Sequence, residues 1–261
     1  MKKALLFTLI WFGISATTSA QDFLGYINSN YAGVTGTDLQ PASVVDSRFK
    51  TDIALFGFSY SFYNNYVGIK KDAFKHSGGL FSGDYPAFKD TAFAEHYLTR
   101  RTSNNPKSLY MASQFYLPSF MVSINSKNAF ALKWKIRTLL NVDGVSNDLA
   151  ALISSNLDYP SLFNVRLTNQ NLSIQTMSWA EYGLTYGHVF KDEGIHFLKA
   201  GVTAKLIQGL QAGYMKIDNL NYQFTTDTTM SIFQTDVKYA HSDNFDINQT
   251  NINYKYISRP T

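Results

Sequence analysis

Five histidines and a short series of cations are the residues of this 261-residue chain whose types could do chemistry. His76, His96, His188, His196 and His241 are scattered at spacings that suit no shared metal site on a helix or a strand. The chain has no cysteine, which removes disulfides, thiolate-ligated zinc and iron–sulfur clusters. No G-x-S-x-G, H-E-x-x-H, Walker loop or G-x-G-x-x-G after a strand is present. Asp243-Asn244-Phe245-Asp246-Ile247-Asn248 has calcium-like composition, yet it lacks the glycine and terminal glutamate of an EF-hand loop and reads as a surface loop. No catalytic residue, metal or cofactor is expected, and the chain does not read as an enzyme.

The constellation that remains is Lys133, Lys135, Arg137, Glu181, Lys199 and Lys205. These six share one parity of alternating segments. On a strand that periodicity places them on one face, the face opposite a band of Leu, Val, Phe and Tyr. Two roles fit them: a basic lumen that selects anionic solutes, or a structural interior whose partner carboxylates come from elsewhere in the chain.

The elements that position these residues follow from the same period of two. In 129–140, Phe130, Leu132, Trp134, Ile136 and Leu140 alternate with Ala131, Lys133, Lys135 and Arg137. A helix would smear the cations around its circumference. The segment 115–125 precedes it across the turn Asn125-Ser126-Lys127-Asn128, which makes a hairpin. In 177–190, Ala180, Tyr182, Leu184, Tyr186 and Phe190 oppose Glu181, Gly183, Thr185 and Gly187. After the turn Lys191-Asp192-Glu193-Gly194, 196–214 sets Leu198, Ala200, Val202, Ala204, Leu206 and Leu210 against Lys199, Gly201, Thr203, Lys205 and Gly209. An earlier strand over 51–63 groups Ala54, Phe56, Phe58, Tyr60 and Phe62. Further strands are expected at 220–226 and 230–240.

Composition and the first residues bear on where such strands work. The chain is 45% hydrophobic, 15% aromatic and 16% charged, which excludes a disordered tail. Met1-Lys2-Lys3, an apolar run and Thr18-Ser19-Ala20 come in the order of a secretory signal peptide, so 1–20 is expected to be a cleaved leader. Without Lys2 and Lys3 the balance is 21 basic against 19 acidic side chains, which removes the case for a nucleic-acid partner. No stretch of 18 apolar residues follows, so no helical span is expected.

Strands of this design suit a soluble β-sandwich or a transmembrane antiparallel β-barrel. Run lengths of about 10–13 residues favour the barrel, because 9–11 cross a bilayer. Tight turns also alternate with long stretches at 64–112 and 141–176, like short periplasmic turns and long extracellular loops. The expected organisation is therefore a leader at 1–20, a periplasmic segment at 21–50 and a barrel domain at 51–261. With at most seven readable strands, that domain is expected to be the N-terminal part of a larger barrel. Within the second long stretch, Leu149, Leu152, Ile153 and Leu157 have helical spacing, and the short helix would either gate the mouth or fold back over loop residues.

Asn28-Ser29-Asn30-Tyr31-Ala32-Gly33, followed by Leu39-Gln40-Pro41-Ala42-Ser43-Val44-Val45-Asp46-Ser47-Arg48 directly before the first strand, resembles an uncharacterised family of exported outer-membrane β-barrel proteins. It is more distantly similar to the long-chain fatty-acid transporter superfamily. The resemblance implies a barrel in the outer membrane and supplies no site residues. The expected function is a porin- or transporter-like protein passing small or hydrophobic solutes, with the outer-membrane bilayer and envelope proteins as partners. The alternatives are a non-conducting anchor for surface or secretion machinery and a soluble exported β-sandwich that binds glycans.

Overall fold

A computed structural model describes residues 27–29, 31–75, 92–103 and 105–243. The expected leader, His76 and most of the Asp-rich loop lie outside the described residues. Among the described residues ten strands form: β1 (Thr51–Ala54), β2 (Gly57–Asn64), β3 (Val67–Ile69), β4 (Leu98–Arg100), β5 (Lys107–Ser123), β6 (Asn128–Val145), β7 (Leu167–Asn169), β8 (Leu172–Glu193), β9 (His196–Phe224) and β10 (Met230–His241). One antiparallel sheet runs β1-β5-β6-β8-β9-β10, with β2 also on β5 and β7 also on β9, while β3 and β4 pair separately. Among the described residues the two ends of this sheet do not pair, so no closed barrel is formed. Among the described residues no second sheet covers its apolar face, as a β-sandwich would require.

Both hairpins form at the turns the sequence marks, but the strands are longer than expected. β5 starts at Lys107, β6 runs on to Val145 and β8 starts at Leu172, so both ends of 141–176 and the end of 64–112 belong to the sheet. The reason is continuity of the ladder: Asn141, Val142 and Asp143 keep pairing with Gln175, Ile174 and Ser173 although their side chains lose the apolar alternation. Likewise 220–226 is mostly the end of β9 rather than a new strand, and β10 is separate.

The run 51–63 is two strands, not one. Pro118 has no N–H to give the ladder, and the register of β5 shifts between Leu117 and Phe120. The Ser119 hydroxyl takes up the lost pairing, accepting from the Trp134 N–H at 3.1 Å. Opposite this bulge the edge breaks at Leu55 and Phe56. Its alternation slips by one residue, so Ala54 faces the polar side of the sheet whereas Phe58, Tyr60 and Phe62 face the other.

Helix α1 (Phe93–Tyr97) packs beside β4, and α2 spans Asn147–Ser154. Ser146 caps α2, its hydroxyl accepting from the Leu149 N–H at 3.3 Å. Leu152 is fully buried among Leu167, Leu220, Tyr222 and Phe224. The helix therefore covers loop residues and the far end of β9, the second of the two roles its spacing allowed. No helix of the described residues is long and apolar enough to cross a membrane, which leaves strands unaddressed.

Candidate functional site on the polar face

The register stacks the polar face in layers. Nearest the two tight turns, Ala129 pairs with Gly187 and Gly187 with Gly201, and in the next layer Ala131 pairs with Thr185 and Thr185 with Thr203. Small residues here leave room for another piece of chain. The N-terminal segment fills it with two 3₁₀ turns, Gly33–Asp38 and Pro41–Val44. Val34 and Val44 are wholly buried against Met121, Ala129 and Ala131, a burial that stabilises the docking by about 1.5–3 kcal/mol per valine.

Two glycines permit this approach. A Cβ on Gly201 would lie 2.5 Å from the Ala42 nitrogen and 2.6 Å from the Pro41 carbonyl carbon. Gly33 has φ +54°, a conformation costly for other residues, and the turn it makes lets the Val34 N–H donate to Asp52 at 2.7 Å. The stretch 31–47 is thus fastened to the sheet at β1 and across β6, β8 and β9.

Above the small residues lie the charges. Lys133 Nζ is 2.7 Å from Asp38 Oδ1, and Lys135 Nζ is 3.1 Å from Asp38 Oδ2. Lys135 continues to Glu181 at 3.4 Å, where Arg137 at 3.5 Å and Lys205 at 3.7 Å also converge. The Trp179 indole N–H donates to Glu181 at 2.9 Å, and Lys135 sits 5.5 Å above the Tyr116 ring. Burial pushes the Asp38 carboxyl up, but the ammonium groups of Lys135 and Lys133 outweigh it and hold the carboxyl below its usual range.

The structure brings five of the six expected residues, Lys133, Lys135, Arg137, Glu181 and Lys205, into one network. Lys199 stands apart and pairs with Asp46 at the rim. Sequence reasoning missed Asp38, Asp46 and Asp52, all in or beside the segment assigned to a separate periplasmic piece. The available signal was their clustering just before the first strand, upstream of a face with more cations than carboxylates. With five cations meeting the three carboxylates of Asp38, Asp46 and Glu181, the face is partly neutralised rather than a bare basic surface. It can hold a segment of chain in place by buried ion pairs. Among the described residues no group of His, Asp and Glu side chains could hold a metal ion.

A model of a family of unknown function, DUF5723, matches residues 41–259. No curated protein and no solved structure matches the chain, so the likeness of the N-terminal residues to fatty-acid transporters gains no support.

Proposed function

The chain belongs to DUF5723, a family of unknown function, and from that premise we propose that it is an outer-membrane β-barrel protein of the porin or transporter kind, with its N-terminal segment seated inside as a plug. The observation that carries this reading is the inversion of the sheet's two faces. Lys133 and Lys135 are each 2% exposed, whereas Leu184 is 52% and Leu206 68% exposed. Water-soluble proteins bury the leucines and expose the lysines, and a contiguous apolar surface of this kind suits contact with lipid. Phe130 against Tyr186 and Trp134 against Tyr182 extend the same face as cross-strand ring pairs at 4.8 and 5.7 Å.

Strands β5, β6, β8 and β9, of 17 to 29 residues, exceed the 9–11 that cross a bilayer, so their far ends, with α2 and β7, would project beyond it. A second reading, a non-conducting anchor, is favoured by the buried ion pairs that fasten the N-terminal segment over the polar face. Fractionation with the outer membrane and heat-modifiable migration in gels test the barrel. Planar-bilayer conductance separates the two readings, with discrete channels expected for the first and a silent bilayer for the second. A chain that stays monomeric in detergent-free buffer overturns both.

A further inference from the structure

Beyond the charged layer, the polar face carries a row of four uncharged polar side chains. The register pairs Tyr110 with Asn141, Asn141 with Gln175 and Gln175 with Tyr214, so β5, β6, β8 and β9 each contribute one. In the neighbouring row Leu139 pairs with Met177, and Met177 with Ala212. These residues line a crevice of about 720 Å³, within the roughly 300–1,000 Å³ of small-molecule sites. Its lining contains no Lys, Arg, Asp or Glu.

The hydrogen bonds around the row define what it lacks. The Asn141 side-chain amide donates to the Asp143 carboxylate, and Gln175 Nε2 donates to the Ser173 hydroxyl at 3.0 Å. Each amide thus spends one of its two N–H donors on its own strand and keeps its carbonyl oxygen as an acceptor beside a second N–H. Tyr110 and Tyr214 stand at the two ends of the row with apolar ring faces, and Met177 offers an adaptable apolar wall beside Leu139. A cationic guest would meet no carboxylate in this lining, and an anionic one would meet no Lys or Arg, the histidine of the lining being His241 at one edge.

We propose that this crevice binds an uncharged, largely apolar small molecule carrying a hydroxyl or N–H donor. Asn141 and Gln175 accept from the donor, and Leu139, Met177 and the two tyrosine rings cover the apolar body. The proposal rests on the polar face being the solvent side of the barrel. Membrane fractionation and heat-modifiable migration report on that reading separately.

The test uses the full chain folded in detergent micelles, titrated by calorimetry against 2-naphthol, 2-methoxynaphthalene and 2-naphthoate, with micelle-only blanks subtracted. Saturable binding of 2-naphthol at one site per chain is expected. The methyl ether, which lacks the donor, should bind at least fivefold more weakly, and naphthoate should not bind measurably. Asn141→Leu combined with Gln175→Leu should weaken 2-naphthol at least fivefold while leaving heat-modifiable migration unchanged. Should that double variant misfold, the naphthol-to-ether comparison on the unaltered chain still decides. Equal affinity for naphthol and ether, preference for naphthoate, or no saturable binding by a chain that behaves as a barrel overturns the site and leaves the barrel reading intact.

Discussion

The two faces of the main sheet are made by the same strands, yet they are held by opposite physics. On one face Leu132, Trp134, Leu184, Val202 and Leu206 lie exposed, and among the described residues no second layer covers them. On the other, Lys133, Lys135 and Glu181 are buried beneath a segment that supplies Asp38. A sheet in water gains stability from its apolar face and spends little on its polar one. Here folding of the described chain buries the polar face, and the apolar face contributes only if a non-aqueous partner covers it. On the proposed reading, the difference teaches that the surrounding medium, as well as internal packing, sets the stability of this sheet.

That comparison can be broken at several points. Asp38→Ala leaves Lys133 and Lys135 buried without their shared carboxylate, and removing one partner of a buried pair costs about 3–5 kcal/mol. Protease cleavage near residues 31–47 and a lowered urea midpoint in lipid vesicles are the expected readouts. The same group sets an acid limit. Its folded pKa lies below the ordinary 3.8, so its contribution is complete above that value and is lost as pH falls through the folded one. The Asp38 component of segment release is therefore expected only below pH 3.8, and Asp38→Asn should abolish that component.

Leu184→Arg probes the other face. A cation facing mid-bilayer costs about 2–4 kcal/mol, whereas an exposed position in water tolerates it within about 0.5 kcal/mol; urea titration in vesicles distinguishes them. Gly201→Val drives a side chain into Pro41 and Ala42, and such overpacking costs about 1–3 kcal/mol, seen as faster proteolysis of the segment with the sheet intact. Asp46→Asn removes only the rim pair with Lys199, which is partly exposed, so a change of at most about 1 kcal/mol is expected.

Much of the sheet was legible because its signal is local. Alternation through Phe130, Leu132 and Trp134 and the turn at Asn125–Asn128 depend on neighbours in sequence. The limits of the strands were not legible where pairing, rather than alternation, sustains them, as at Asn141–Asp143. Pro118 was visible, but its effect fell on a different strand, splitting 51–63 at Leu55 and Phe56. The charged site was half legible. Parity grouped Lys133, Lys135, Arg137 and Glu181, whereas Asp38 lies 95 residues before Lys133 in sequence and no period links them. The crevice escaped because Asn141 and Gln175 fell in a stretch read as loop.

The central claim, that the apolar face meets lipid and the polar face does not, is tested most directly by two of the chain's three tryptophans. Trp134 lies on the first face and Trp179, bonded to Glu181, on the second. Variants with Trp11→Phe and either Trp134→Phe or Trp179→Phe isolate each emission in vesicles made with acyl-brominated lipids. Strong quenching of Trp134 with little quenching of Trp179 is the predicted result; Trp134 untouched by bromine but quenched by aqueous iodide would contradict it.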